Sequence, residues 1–545
     1  METMTAGPTP DAPAAYPLTP LQHGMLFQAL RAPGAGLDVE QVVCTLAHPV
    51  DDERMRRAWE RVAARHDVLR TRFVWEGLPE PLQVVEPRAP LDWAVHDLSA
   101  LPPAEREARL ERWLDADRAR GYDLARAPAM RLALFRHDAG AHVLAWSFHH
   151  VLLDGASVAH VLREVFALYD GEEADLPART PFAAHVQWLR ARGPAADEAY
   201  WTARLRGAGA AEPVRAGRAA PRDGAAEGPF GGCELRLSER ATSALRAFEQ
   251  AQGVWLSTLV HAAWALLLGR CTGRGEVVFG AVRAGRGTGV PGAEGMVGML
   301  INTVPVRIPL PADAAVIDWL DEVGERLAEL AEHEHAALPD VTRWSGLPQG
   351  AALFSTLLDY QARPFDAALG AAGGAWAQRG FRVVRRTGFP LSVAVTGETP
   401  LRLRMDYDAE RFDAPAAERM LARLAHLLEE IAADPGRRLG ALDPVGPAER
   451  RLLLDGWNPA PVAYPAERCV HRLVAEQAAR TPDALAVACG DERITYGALE
   501  RRANGLARRL VRLGVGPEVR VGLCLERGID MVAAVLAVWK AGGAY

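Results

Sequence analysis

Lysine is almost missing from this 545-residue chain: Lys540 is the only one among 62 basic residues, and the rest are arginine. The formal net charge of −7 leaves no basic footprint for nucleic acid. Cysteine is also scarce. Cys44, Cys233, Cys271, Cys469, Cys489 and Cys524 are scattered without a CxxC pair, which excludes the usual zinc and dithiol signatures. They read as buried small apolar residues kept reduced, and no metal site is expected. No uncharged apolar run reaches the roughly 20 residues of a membrane span. The stretch from Met531 to Trp539 is apolar throughout but short, and reads as a core helix. The first fifteen residues lack the basic start and apolar centre of a secretory signal. The chain is therefore expected in the cytoplasm, with neither a nucleic acid nor a membrane as partner. No fixed-period repeat is present, which argues against solenoids and propellers.

What is present is an ordinary globular composition, 49% hydrophobic and 24% charged, in a chain long enough for more than one domain. Helical and strand periodicities alternate, which predicts an α/β fold. Met55, Ala58, Trp59 and Val62 mark a helix over 52–66, and residues 69–75 and 142–148 read as strands. Val158, Val161, Leu162, Val165, Phe166 and Tyr169 share one face of a helix over 157–169. The Gly/Ala/Pro-rich stretch 207–232 reads as a surface loop or an excursion between lobes, and Ser238 after it as a helix N-cap. A helix over 257–270, strands over 276–281 and 401–407, and a helix over 415–432 follow. Residues 434–465 read as a linker holding one short helix over 448–454. A new α/β pattern begins near Val470.

The densest chemical signal is His149-His150-Val151-Leu152-Leu153-Asp154-Gly155, where a strand gives way to a helix. Adjacent strand residues point to opposite faces, so one histidine can face a cavity while the other packs behind it. Gly155 permits a bend that a side chain would obstruct. A histidine near its ordinary pKa accepts and returns a proton at neutral pH, which amide formation requires. Asp154, in the turn, is expected to fix it by an ion pair, with Arg286 the first candidate and Arg70 the second. Two alternatives stay open on these residues alone: a pair of satisfied polar histidines, and a metal site drawing on His142. The second suffers from the divergence of neighbouring strand side chains and the lack of helical HExxH spacing.

The same run resembles the HHxxxDG signature of nonribosomal peptide synthetase condensation domains and related acyltransferases, and it has company in the right order. Tyr16 to Phe27 resembles the family's opening motif, and Arg65 to Phe73 its RHExLRTxF motif. Phe182 to Trp188 resembles a weak form of the next. Phe279 to Val282, continuing through Arg286, resembles the strand and loop of the tunnel floor, and Val297 to Thr303 the VGxFxNT motif. Leu353 to Gln361 and Phe389 to Leu391 match later elements. Two departures stand out: His23-Gly24-Met25 lies where many members carry an arginine, and Ala156 where a tryptophan often follows the glycine. The resemblance covers residues 16–435. It implies two chloramphenicol-acetyltransferase-like lobes in a V, an N-lobe over 16–180 and a C-lobe over 181–435, with the site between them.

The resemblance further implies donor and acceptor peptidyl carrier proteins, each presenting a 4′-phosphopantetheine thioester, with no cofactor bound covalently to this chain. It implies His150 as the group that positions the amine and handles its proton, His149 and Gly155 beside it, and Gln22, Met299 and Asn302 along the substrate channel. From Val470 a second resemblance begins. Thr481 to Ala484, Ile494 to Leu499 and Trp539 to Tyr545 resemble the start of an adenylation domain. Residues 436–466 then read as linker and 467–545 as a partial adenylation domain, with neither a phosphate loop nor a carrier serine motif. Residues 1–15 resemble a docking segment, so the donor is expected on an upstream synthetase subunit. Epimerization domains share HHxxxDG but are expected to carry a further glutamate motif, which is not found near 277–286. The DxxxxD and DFGWG patterns of two other relatives are absent too. A condensation-like domain that only recruits a partner is the non-catalytic alternative.

Overall fold

The computed structural model describes residues 14–545 except 33, 35, 138–140, 172–175, 215–229, 349, 363–368, 370–378, 385–387, 398 and 459–462. The expected leader thus lies almost wholly outside the described residues, and so does most of the 207–232 loop. The chain divides into two compact units, Met1–Arg450 and Arg451–Tyr545.

The first half of the first unit is built on a five-stranded sheet in the order Arg379–Val384, Val39–Leu46, His142–His149, Met130–Arg136, Asp92–Asp97. All pairings are antiparallel except the last. Its central strand is apolar on both faces because both are covered. Leu144, Trp146 and Phe148 meet the cluster holding the helices Asp52–Arg65 and Gly155–Asp170. Val143 and Ala145 meet Leu110 and Leu114 of the helix Pro103–Arg120. Trp59 packs against Trp146 with ring centroids 4.8 Å apart, and neither is exposed.

The second half carries a six-stranded mixed sheet in the order Asn302–Pro309, Glu276–Arg283, Thr356–Gln361, Leu391–Thr396, Arg402–Asp408, Phe230–Arg236. The helix Leu256–Thr272 is buried along nearly its whole length, so its apolar character on all sides is that of a core helix. Among the described residues no single helix is long and apolar enough to cross a membrane. The chain leaves this half after Thr356–Gln361, adds Arg379–Val384 to the edge of the first sheet, and returns as Leu391–Thr396.

Ser238 caps its helix by accepting from Ala241 N at 3.1 Å, as its position predicts. Three expectations need correction. The cysteines are not all buried: Cys469, Cys489 and Cys524 are exposed, because the second unit buries little of its surface. The strand expected over 69–75 opens as a 3-10 turn, Asp67–Arg70, and only Thr71–Val74 is strand. The expected linker begins as packed structure: Leu439 and Leu442 are buried in the second core, and Arg270 donates to the carbonyls of Leu439, Gly440 and Leu442. Arg423 also pairs with Glu449 at 2.6 Å, so the first unit runs well past residue 435.

The second unit holds the helices Val470–Arg480, Tyr496–Arg512 and Ile529–Lys540 and the hairpin Leu485–Cys489 with Glu492–Thr495. Its buried cluster is small, centred on Leu499, Ala503, Ala533 and Leu536.

Candidate active site

The chain turns at the end of the strand His142–His149, and four hydrogen bonds fix the turn. His149 N donates to Ala129 O, and His150 N donates to Asp38 O at 2.7 Å. Gln22 Nε2 donates to Val151 O at 2.9 Å, and Asp154 N donates to Gly298 O at 3.1 Å. The two histidines part as expected. His149 is buried; its Nδ1 accepts from Val151 N at 3.1 Å and its ring meets Tyr122 edge-on. Burial, with the neighbouring His150 adding to it, pushes its pKa down to about 3, so it is neutral. His150 keeps 19% of its side chain exposed. Its Nδ1 lies 2.8 Å from Leu153 O. A carbonyl oxygen only accepts, so Nδ1 carries a proton, and in the neutral ring Nε2 presents the lone pair.

Asp154 is the N-cap of the helix Gly155–Asp170 and is fully buried. Its Oδ1 accepts from Ser157 N at 2.8 Å and its Oδ2 from Leu300 N at 3.2 Å. Arg286 Nη2 donates to both carboxylate oxygens, at 2.7 and 2.9 Å, and to Ser157 Oγ at 3.0 Å. Arg286 Nη1 meanwhile donates to the carbonyls of Ala293, Glu294 and Met296. One guanidinium therefore ties the histidine turn to the loop beneath it. The second candidate partner, Arg70, does not reach Asp154; it bonds Asp67 and donates to Glu86 O.

The bend argued for Gly155 also needs correction. Gly155 is the first helical residue, is not among the glycines with positive φ, and a Cβ there would meet nothing within 4 Å. A glycine that the site cannot replace is Gly285, with φ +61° and a Cβ position 1.9 Å from Leu300 O.

The three residues expected along a channel are all buried. Gln22 completes a capping box with Thr19 and braces Val151. Met299 lies in the first core. Asn302 donates to Glu334 O and Ala336 O, both at 2.8 Å. The Arg65-His66 pair meets a residue that no motif pointed to: buried Glu164 bonds His66 Nε2 at 2.7 Å, Arg65 at 2.9 Å and Arg179 at 2.9 Å. Burial works to raise the Glu164 pKa, but these three partners together hold it below the usual carboxylate value.

Two further acids missed in the sequence flank His150. Glu40 is buried with Oε1 3.7 Å from His150 Nε2. Asp38 is buried in the left-handed region, φ 57°, and its Oδ2 has no hydrogen-bond partner. Burial raises the Asp38 pKa to about 6, with His150 opposing and Glu40 reinforcing. The sequence signal is slight: Glu40 and Gln41 are adjacent polar residues at the start of a strand, 39–46, whose other residues are mostly apolar. Among the described residues no group of three His, Cys, Asp or Glu side chains is arranged to hold a metal.

Residues 13–454 match the family described as Condensation domain, and residues 474–545 match AMP-binding enzyme. One of the linear gramicidin synthase proteins of Brevibacillus parabrevis is 40% identical over 536 residues, 97% of this chain and 10% of that protein. Chondramide synthase of Chondromyces crocatus is 35% identical over 608 residues, 98% of this chain and 15% of that protein. The chain thus spans only about a tenth to a seventh of the length of these relatives. A four-domain nonribosomal peptide synthetase bound to AMP and glycine superposes with a TM-score of 0.78 at 19% identity, covering 99% of this chain and 42% of that one. The first condensation domain of the calcium-dependent antibiotic synthetase, in complex with a substrate analogue, gives 0.65 at 22% identity, covering 79% of this chain and all of that one. At such identities these two structures bear on the fold alone.

Proposed function

Because the chain belongs to the condensation-domain family of nonribosomal peptide synthetases, acyl- or peptidyl-transferring enzymes that work with carrier domains, and continues into the start of an AMP-binding enzyme, we propose that its first unit forms an amide bond between two carrier-bound substrates. The acceptor's α-amine attacks the carbonyl carbon of a donor acyl or peptidyl thioester, and the thiol of the donor's phosphopantetheine leaves. The observation that carries this reading is the 2.8 Å contact of His150 Nδ1 with Leu153 O in a partly open position, which leaves Nε2 as the lone pair of the neutral ring. His149 stays neutral behind it, and Asp154 with Arg286 holds the turn.

A thioester is already activated, so the chain's task is mainly to hold two reactants in line, where effective molarities reach about 10⁵ M or more. Proton handling by His150 adds a factor on the order of 10²–10⁴. The test mixes the protein with one loaded donor carrier and one loaded acceptor carrier. Dipeptidyl thioester is expected, and His150→Ala should lower its rate by about 10²-fold or more while leaving the melting temperature unchanged. Absence of product from competently loaded carriers would overturn the reading. Inversion of the donor without a new C–N bond would place the unit with epimerization domains.

A further inference from the structure

The reaction above needs two protons removed from the acceptor nitrogen, and His150 offers one lone pair. An acceptor α-amine, with an ordinary pKa near about 7.7–8.0, arrives mostly as ammonium at pH 7. Something beside His150 Nε2 has to receive that cation.

Glu40 lies on the strand Val39–Leu46, paired across to Phe148, and so shares the sheet face toward the helix Gly155–Asp170. Gln41, next in sequence, faces the other way, where Asp117 and Arg118 meet it. The Glu40 carboxylate is buried and stands 3.7 Å from His150 Nε2. That is too long for a hydrogen bond, yet a nitrogen at about 2.9 Å from each atom closes the triangle. Asp38 adds a second acid at the same place, its Oδ2 buried without a partner while its carbonyl holds His150 N at 2.7 Å. No ion pair to Asp38 or Glu40 occurs among the described residues beyond that of Glu40 with His150. A buried carboxylate left without a cation is costly unless a ligand supplies one.

We propose that Glu40, with Asp38 beside it, forms the seat for the acceptor's α-ammonium, which makes Glu40 a substrate-binding and proton-accepting residue of the condensation reaction. This rests on the amide-forming reading given above. The ammonium docks between Glu40 and His150 and passes one proton to His150 Nε2. The freed lone pair attacks the thioester carbonyl carbon, the C–N bond forms, and the carbonyl π electrons move to oxygen. The nitrogen, now positive, gives its second proton to the Glu40 carboxylate, which releases it to solvent. The oxyanion then collapses, the C–S bond breaks, and the thiolate takes the proton held on His150. The products are an amide, a thiol and one released proton, and the protein returns to its starting state.

The titratable groups facing Glu40 are Asp38, from just before its own strand, and His150, from just past the end of the neighbouring strand; His149, paired with Val39, lies on the opposite face. The experiment measures dipeptidyl thioester formation from pH 6.5 to 9 by the wild-type protein, Glu40→Gln, Glu40→Asp and His150→Ala. Glu40→Gln keeps the shape but not the charge. It should be slower than wild type by about 10²-fold at pH 7, in kcat rather than KM for the acceptor carrier, with Glu40→Asp between the two. The deficit should shrink to about tenfold or less by pH 9, where the amine arrives neutral and needs no seat. A Glu40→Gln to wild-type rate ratio that stays constant over this range, or equals one, overturns the inference while leaving the amide-forming reading intact. Failure of wild-type protein to form product overturns the reading itself.

Discussion

At the scale of single residues, the site sets two buried carboxylates against each other. Asp154 has an arginine, a cap and a backbone amide; Asp38 has an unpaired oxygen. Removing one partner of a buried pair typically costs about 3–5 kcal/mol, because the other charge stays behind. Asp154→Ala should therefore lower the melting temperature as well as the rate, through Arg286 left with only carbonyls and the Ser157 hydroxyl and no counter-charge. A variant that melts like the wild type but is inactive would instead assign Asp154 a direct chemical role. For Asp38 the sign reverses. Its pKa is raised to about 6, so its charged form burdens the folded state. Its contribution is most favourable below the ordinary carboxylate pKa and is lost as pH rises through about 6. Asp38→Asn, which tolerates a positive φ, should stabilise the protein at pH 7.5 by about 1–3 kcal/mol, and the gain should vanish by pH 4. Denaturant unfolding at the two pH values checks this.

At the scale of elements, the loop after the strand Glu276–Arg283 is as much part of the site as the histidine turn. Gly285 turns it toward Leu300, and Arg286 anchors it at 293–296. Gly285→Ala adds a methyl group where Leu300 O already stands and in a backbone region alanine disfavours. It should destabilise the unit by roughly 2–4 kcal/mol and cut amide formation, whereas Gly155→Ala, meeting open space, should fold normally. Calorimetry of both variants is a direct comparison. The sequence made the helices with one apolar face easy to find, and it placed the histidine turn at a strand-to-helix junction. It did not reveal Glu40 or Asp38, because their significance lies in facing His150 across a strand pair more than a hundred residues away. Nor did it reveal the cross-sheet strand Arg379–Val384, whose edge location follows from chain crossing and not from any periodicity of its own.

At the scale of the first unit, that crossing strand joins the two sheets covalently to one fate. It pairs Val384 with Gln41 and Val383 with Val42, so its last residues lie beside the strand that carries Glu40. Val383→Pro and Arg382→Pro, tried in parallel, each remove a backbone N–H, and alternate residues of an edge strand point theirs toward opposite sides. At least one should raise hydrogen exchange across 39–46 and slow amide formation together. Unchanged protection in both would show that the first sheet does not need its fifth strand.

The same strand sets a clock on synthesis. Residues 39–46 leave the ribosome with both edges open; 142–149 covers one about 100 residues later, and the strand that covers the other follows about 340 residues later. At about 5–20 residues per second, the edge waits ~20–70 s for its partner. Val39, Val42, Val43, Cys44 and Leu46, all buried in the finished protein, sit on that open edge throughout the delay. The nascent chain therefore passes through a long interval in which neighbours on the same polysome offer one another an equivalent edge. Its yield in a cell depends on what shields those eight residues before the later half arrives.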